Sequence, residues 1–147
     1  MREDGEYEEW FGHRGAELLK GLGVRPATTA VDFGCGIGSY TVPLLQVTGS
    51  AGLVWALDRT EKHLDAVAKR AREQAPMGNL RLVNTRGKES LDPVEADTVD
   101  TILLFDVLQH VEDWEGLLRE SARCLRPGGL LLVNPSTLSH PGKVDVG

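Results

Sequence analysis

Five short apolar-rich runs alternate along the chain with longer segments in which apolar residues recur at helical spacing. Runs of four or five residues between turn-forming residues indicate buried strands, whereas the longer segments indicate amphipathic helices. The predicted strands are 30–33, 53–57, 80–83, 101–105 and 130–133, and the predicted helices are 5–22, 39–46, 60–74 and 114–125. This alternation predicts an α/β fold, a three-layer sandwich whose mostly parallel sheet of about five strands carries helices on both faces.

Turn-forming and capping residues indicate where the predicted elements begin and end. The glycines of residues 21–23 end the first helix, and Thr60 is placed to cap the helix that follows it. The Arg-Pro-Gly-Gly stretch at 126–129 is expected to separate the last helix from the last strand. Residues 84–96 show no sustained periodicity, so we expect mostly loop there, with at most one short helical turn.

Length and composition predict one compact domain. The chain has 147 residues, of which 41% are hydrophobic, enough to form a single core. We therefore treat 1–147 as one domain, with a cap helix over 1–22 and a short tail over 134–147. The sequence contains no run of 18 apolar residues, and its acidic opening does not resemble a secretory signal, so we expect a cytoplasmic location.

Charge and cysteine content narrow the possible partners. The formal net charge of −6 disfavours a nucleic-acid partner, because phosphate backbones bind to positively charged surfaces. A group of arginines is interrupted by acids: Arg119, Arg123 and Arg126 alternate with Glu112, Asp113, Glu115 and Glu120. The two cysteines, Cys35 and Cys124, belong to no CxxC pair or Cys/His cluster, so no metal site is predicted.

A glycine loop follows the first predicted strand. Gly34, Gly36 and Gly38 alternate there, and small residues let the backbone pass close to a bound nucleotide or nucleoside. Asp58 ends the second strand, where its carboxylate can accept hydrogen bonds from both hydroxyls of a ribose. The third glycine comes one residue too early for the dinucleotide pattern GxGxxG, which disfavours a nicotinamide cofactor.

Two longer stretches resemble a known family. VDFGCGIGSYTVPLL followed by LVWALD resembles the first two motifs of class I S-adenosylmethionine-dependent methyltransferases. FDVLQHVEDWEGLLRESARCLRPGGLLLV resembles the region of their fourth strand, next helix and fifth strand. The resemblance covers roughly residues 14–134. It implies a Rossmann-like sheet of order 3-2-1-4-5, S-adenosylmethionine as cofactor with S-adenosylhomocysteine as product, and methyl transfer to an acceptor, which we expect to be a small molecule.

The same resemblance assigns expected roles to individual residues. It implies that Asp58 holds the ribose hydroxyls, while Asp32 and Gly34 line the methionine part of the cofactor. Asp106 either contacts the methionine amino group or faces the acceptor, and His110 is a candidate for positioning the acceptor or removing its proton. The expected cofactor-binding set is Asp32, Gly34, Cys35, Gly36, Gly38, Asp58, Arg59 and Asp106, and the expected catalytic pair is Asp106 and His110.

Several of these residues also have an ordinary structural interpretation. Cys35 is better explained as a small packing residue than as a nucleophile. His110 is better explained as a residue that packs or caps a helix start, although Asp106 and His110 share a face if that stretch is helical. Trp10 and Phe11 either pack the first helix or lie over the cofactor, where Arg14 or Lys20 would pair with its carboxylate.

The sequence departs from the family at two places. Near Thr85-Arg86 the family often has Gly-Asp, whose acid contacts the adenine amino group, and Glu89 replaces it only if the loop bends differently. After Val133 only fourteen residues remain, too few for the helix and antiparallel strand pair of the full fold. An exposed edge of strand five is usually covered, so we expect a homodimer, a partner chain, or a missing C-terminal portion.

Three functions remain open on sequence grounds. Methyl transfer is favoured, because an activated methyl group requires mainly alignment of the acceptor and exclusion of water. The second is a non-catalytic domain that binds S-adenosylmethionine or serves as a partner subunit. The third, a nicotinamide oxidoreductase, is disfavoured by the glycine spacing.

Overall fold

A computed structural model describes residues 2–133. Its strands are β1 (Thr29–Phe33), β2 (Leu53–Asp58), β3 (Leu80–Asn84), β4 (Val99–Leu104) and β5 (Leu125–Val133). Its α-helices are α1 (Arg2–Glu9), α2 (Gly15–Gly21), α3 (Thr41–Thr48), α4 (Glu61–Gln74) and α5 (Trp114–Cys124). A π-helical turn, Trp10–Arg14, joins α1 to α2, and a 3₁₀ turn, Leu108–His110, precedes α5. The predicted tail 134–147 lies outside the described residues.

The five strands form one sheet in the order β3-β2-β1-β4-β5, and every neighbouring pair is parallel. This confirms the predicted fold class and strand order. Parallel strands bring all their carboxyl ends to one edge, with β1 at the centre between β2 and β4. The loops that follow these three strands therefore meet at that edge.

Alternating side chains divide the core between the two faces of the sheet. Ala30 and Leu103 pack towards α2, α3 and α4, whereas Val31 and Ile102 pack towards α5 and the β3–β4 loop. All four side chains are fully buried, as expected for central parallel strands. In the part of the chain that the structure describes, no helix combines the length and apolar character needed to cross a bilayer.

The predicted first helix is present, but it is widened by the π-helical turn. The side-chain amide of Gln46 on α3 donates to the carbonyl of Phe11 at this widening and to the carbonyl of Gln74. The Phe11 ring is buried in the core. The Gln46 amide thus ties the π-helical turn to α3 and to the end of α4.

The structure corrects one predicted boundary and one expected capping contact. Residues 126–129 do not form a separate turn, because β5 begins at Leu125 and pairs with β4 through an irregularity between Val99 and Thr101. Gly128 has a positive φ of 84° there. Thr60 does occupy the N-cap position of α4, but its side chain makes no capping hydrogen bond; the carboxylate of Asp58 accepts from the Thr60 N–H at 3.0 Å instead.

Arg123 on α5 braces the long β3–β4 loop, which contains no helix. Its guanidinium donates to the carbonyl of Val94 at 2.9 Å and to that of Leu91 at 3.2 Å. Glu120 pairs with Arg123 at 3.1 Å and accepts from the Leu91 N–H, also at 3.1 Å. Hydrogen bonding to Arg123 lowers the pKa of Glu120. In a crossover helix, backbone groups bond to one another. In this loop, the side chains of Arg123 and Glu120 bond to the backbone groups instead.

We expect Arg123→Ala to lower the free energy of unfolding by about 2 kcal/mol, because loop carbonyls lose a charged donor. Arg119→Ala is the matched control, since Arg119 lies on the same helix and its pair with Glu115, at 3.7 Å, is exposed. The control should change stability by less than about 0.5 kcal/mol. Urea unfolding measures both variants, and equal losses would contradict the bracing role of Arg123.

Candidate functional site

A cavity of about 550 Å³ opens at the carboxyl ends of β1, β2 and β4. Its size falls within the range of about 300–1,000 Å³ that is usual for small-molecule sites. Six of the residues predicted for the site line its wall: Gly34, Gly36, Asp58, Arg59, Asp106 and His110. Three other predicted residues, Asp32, Cys35 and Gly38, do not line this wall, and their contact with a ligand stays a prediction.

The glycine loop presents backbone to the cavity. Gly34 has φ +71°, and a Cβ added there would lie 2.2 Å from a methyl carbon of Val107. Gly36 has φ +54°, and a Cβ added there would meet nothing within 4 Å, because the residue faces open space. Gly38 differs from both, since an added Cβ would lie 3.3 Å from the Val67 side chain on α4. Gly34 and Gly38 thus allow close packing, while Gly36 leaves room for a ligand.

We expect Gly36→Ala to weaken ligand binding by roughly tenfold while the chain stays folded. The added methyl group would enter the space next to the ligand, and overpacking typically costs about 1–3 kcal/mol. Gly128→Ala is the matched control, since Gly128 also has a positive φ and open space around its Cβ position but lies away from this cavity. Calorimetric titration should show weaker binding only for the Gly36 variant; equal effects of the two variants would argue against this assignment.

Asp58 is held by three hydrogen bonds at the end of β2. Its Oδ1 accepts from the Gly36 N–H at 3.3 Å, and its Oδ2 accepts from the Thr60 N–H at 3.0 Å. His63, in the first turns of α4, places its Nδ1 at 2.9 Å from the same Oδ2. These contacts fix the carboxylate at the cavity wall, directly beside the glycine loop.

Asp32 lies near the end of β1, just before the glycine loop, and does not line the cavity wall. Its side chain is buried, and Thr41 at the start of α3 donates to its Oδ2 at 2.7 Å. Burial raises the pKa of Asp32 from its ordinary value of 3.8 to about 7, against the opposing effect of the Thr41 hydrogen bond. The negative charge of Asp58 raises it further.

Asp106 and His110 line the same cavity, although they do not share a helical face. Asp106 follows β4 with a positive φ of 58°, and only residues 108–110 form a 3₁₀ turn. The His110 N–H donates to the carbonyl of Val107 at 2.9 Å, so the backbone of His110 closes this turn. A non-glycine residue held in the left-handed region at a cavity wall favours a functional role.

Cys35 has the environment of a packing residue. Its thiol is buried against Leu64 and Val67 of α4, next to Ala56 of β2. Burial raises the pKa of the Cys35 thiol, and the charges of Asp32 and Asp58 raise it further. A thiol held in its protonated form is a poor nucleophile. The structure therefore supports the packing interpretation of the side chain.

The aromatic residues of the N-terminal segment pack against the domain. The indole N–H of Trp10 donates to the carbonyl of Ser39 at 2.6 Å, and its ring contacts Tyr40, which in turn contacts Phe105. Arg14 and Lys20 are exposed beside Glu9 and Glu17, and neither lines the cavity. These contacts correspond to the packing alternative for Trp10 and Phe11.

The loop after β3 also contributes to the wall, through Thr85, Gly87, Lys88 and Glu89. The two carboxylate oxygens of Glu89 accept from the backbone N–H groups of Glu112 and Asp113, at 2.9 and 3.3 Å. Glu89 thus links this loop to the start of α5. The sequence drew attention to Glu89 as an adenine contact but gave no signal of this bridging role.

The cavity wall offers contacts that suit a nucleoside carrying a charged group. Gly36 leaves open space beside its backbone, and Asp58 places an acceptor next to that space. Asp106 lines the same cavity, where its carboxylate can face a cationic group. The position at the carboxyl ends of β1, β2 and β4 is the usual ligand position in open α/β sheets.

The fold and this site define a nucleoside-binding α/β domain of the class I type. Residues 31–133 match the model of the methyltransferase domain family, so the chain belongs to that family. Demethylmenaquinone methyltransferase of Staphylococcus aureus is 32% identical over 115 residues, which are 78% of this chain and 46% of that protein. The chain therefore spans about half the length of the curated relatives it matches.

Solved structures share the fold. A SAM-dependent methyltransferase from Aquifex aeolicus superposes with a TM-score of 0.73 at 22% identity, covering 86% of this chain and 65% of that one. Phosphoethanolamine N-methyltransferase 1 of Haemonchus contortus, determined with phosphoethanolamine and S-adenosylhomocysteine, gives a TM-score of 0.67 at 23% identity, covering 88% and 28%. At these identities the two likenesses support the fold alone.

Proposed function

We propose that this chain binds S-adenosylmethionine in the cavity above the glycine loop and transfers its methyl group to a small-molecule acceptor. The observation that carries the proposal is Asp58, whose carboxylate stands at the cavity wall beside the open space over Gly36. Membership of the methyltransferase domain family supports the reaction type. The demethylmenaquinone relative acts on a small molecule by its name, which supports that class of acceptor.

The residues of the chain would bind and orient the two reactants. Asp58 would bind the ribose through a hydroxyl group, and Gly34 and Gly36 would let the backbone approach the rest of the nucleoside. Asp106 at the cavity wall and Asp32, buried just before the glycine loop, would both favour the positively charged methionine amino group. Arg59 lines the wall next to Asp58, where it would contact the nucleoside as well.

Asp106 and His110 would act on the acceptor side. The bound cofactor supplies an activated methyl group, so the chain has only to align an acceptor atom and exclude water. The His110 imidazole would position that atom or take its proton, and Asp106 lines the same cavity. The strained backbone of Asp106 supports a role that depends on its exact direction.

Direct binding tests this proposal. Purified chain is titrated with S-adenosylmethionine, S-adenosylhomocysteine and NADH, followed by calorimetry and thermal unfolding. A ligand present at about 100 times its dissociation constant adds roughly 2.7 kcal/mol to stability, which raises the melting temperature by several degrees. We expect this shift with the first two ligands and none with NADH. A shift with NADH alone would refute the proposal.

A second function is a domain that binds the cofactor without catalysis, as the partner of another chain. It is supported by the β3 loop, where Glu89 is engaged by backbone N–H groups and Thr85-Arg86 replace the family's Gly-Asp. Binding of S-adenosylhomocysteine without methyl transfer to any of a panel of quinol, phenol and amine acceptors would favour this function.

We further propose a homodimer in the cytoplasm. Leu130 and Val133 on the edge strand β5 are partly exposed, at 38% and 42%, and an apolar edge is usually covered in the functional state. Light scattering tests the dimer, and a stable monomer at high concentration would exclude it. The cytoplasmic location is supported by Cys35 and Cys124, both free and buried, as is usual in a reducing compartment.

A further inference from the structure

His63 and Asp58 form a hydrogen-bonded pair at the cavity wall. The imidazole Nδ1 lies 2.9 Å from Asp58 Oδ2, and both side chains line the cavity. The carboxylate is the acceptor, so Nδ1 carries the hydrogen of this bond. In the neutral imidazole the other ring nitrogen, Nε2, is then an acceptor with a free lone pair.

The carboxylate of Asp58 alone is short of acceptor positions for a ribose. An ionised carboxylate offers about four lone-pair sites. Three are occupied in this structure, by Gly36 N–H, Thr60 N–H and His63 Nδ1. About one site remains, whereas the two hydroxyls of a ribose require two acceptors.

We propose that His63 is a second ribose-binding residue, with Asp58 accepting one hydroxyl and the Nε2 of His63 accepting the other. This inference rests on the proposed function, because it requires a nucleoside at this wall. Nearby side chains are less suited to the role. The Thr85 hydroxyl accepts from the Gly87 N–H at 3.3 Å, and both oxygens of Glu89 are engaged by the start of α5.

The arrangement has a consequence for specificity. Nε2 of the neutral His63 imidazole accepts from one ribose hydroxyl. The hydrogen bond from Nδ1 to Asp58 sets the tautomer that makes Nε2 an acceptor. Removal of the imidazole should therefore weaken discrimination between a ribose and the deoxyribose that lacks this one hydroxyl. It should leave discrimination at the other hydroxyl, which Asp58 binds, unchanged.

Calorimetry with S-adenosylhomocysteine and its 2′-deoxy and 3′-deoxy analogues tests this pair. We expect His63→Ala to bind S-adenosylhomocysteine about fivefold more weakly, the value of one hydrogen bond. One of the two deoxy analogues should bind His63→Ala and the unaltered protein equally well. His63→Gln, whose amide can donate to Asp58 and accept from ribose, should restore most of the affinity. Lys62→Ala is the control, since Lys62 is exposed on the same helix and does not line the cavity.

Nitrogen-15 NMR gives a second readout that does not depend on a variant. We expect His63 to show a protonated Nδ1 and an unprotonated Nε2, and the Nε2 resonance should move on addition of S-adenosylhomocysteine but not of the deoxy analogue that lacks the recognised hydroxyl.

Three outcomes would overturn the inference. Equal weakening of all three ligands by His63→Ala would show that His63 only shapes the wall. Tighter binding by His63→Ala would show that the imidazole occupies the ribose position and must leave it. Absence of S-adenosylhomocysteine binding by the unaltered protein would overturn the proposed function together with this inference, whereas the first two outcomes would leave that function standing.

Discussion

Replacement of Asp58 by alanine is expected to weaken the binding of S-adenosylhomocysteine at least about 100-fold. The ribose would lose at least one hydrogen bond to a charged acceptor, worth about 1.5–3 kcal/mol. The Gly36 and Thr60 N–H groups would also lose their acceptor, so the glycine loop and the start of α4 would no longer be held in place. Each tenfold loss of affinity corresponds to about 1.4 kcal/mol.

Two further variants separate lost ligand contacts from lost loop structure. Asp58→Asn keeps the shape and one acceptor oxygen, so we expect an intermediate loss of affinity with little change in stability. Asp65→Ala is the matched control, because Asp65 is an exposed acid on α4 outside the cavity wall. Calorimetry measures affinity and thermal unfolding measures stability. Unchanged affinity in folded Asp58→Ala protein would remove the basis for placing a ribose here.

The fold could be predicted from the sequence because its strongest signals are local. The buried strands β1, β2 and β4 are nearly continuous apolar runs, and their alternation with amphipathic helices permits few topologies. The start of β5 could not be predicted in the same way. Residues 126–129 carry strong turn residues, but they form an irregularity inside the strand, because β5 pairs with β4 on either side of them, at Leu125 and again from Leu130, and Gly128 adopts a positive φ.

The candidate site was only partly predictable, for a related reason. Glycines and an acid at strand ends mark the ligand edge of a parallel sheet, and the structure brings Gly34, Gly36, Asp58 and Asp106 to one cavity. Contacts between side chains that are distant in sequence leave no such pattern. The bridge from Glu89 to α5 depends on tertiary packing.

The position of His63 in the sequence gives only a weak signal of its role. His63 lies five residues after Asp58, and the first turns of a helix that follows a strand commonly point back to the strand end. Arg123 gave no usable signal, because in sequence it is one of several arginines among acids. Its role becomes visible only when α5 lies against the carbonyls of the β3–β4 loop.

Replacement of Asp32 by asparagine is expected to make the chain more stable at pH 8 while weakening ligand binding. Burial raises the pKa of Asp32 from 3.8 to about 7, so the folded protein holds this proton more tightly than the unfolded chain does. Between about pH 4 and pH 7 the unfolded chain loses the proton first. Ionisation therefore lowers stability as the pH rises through this window, and the full loss is present above pH 7.

The expected gain follows from the size of that pKa shift. One pKa unit corresponds to about 1.36 kcal/mol, so the asparagine variant should gain up to about 4 kcal/mol at pH 8, or up to roughly 10 °C in melting temperature. An asparagine oxygen can still accept from the Thr41 hydroxyl. The advantage should shrink to a small fraction near pH 4 and vanish below about pH 3, because Asp32 is then protonated in both the folded and the unfolded state.

Thermal unfolding of both proteins from pH 4 to pH 8 checks this expectation, with the exposed Asp65→Asn as control. A variant that is less stable than the unaltered protein at pH 8 would show that the Asp32 carboxylate is well accommodated in the fold. We expect the same substitution to weaken S-adenosylhomocysteine binding, and this loss of affinity would explain why the chain carries a buried acid at this position. If the proposed cofactor binds as inferred, the charge on Asp32 would lower stability until a cationic group bound near it, and the neutral variant could not regain that energy from the ligand.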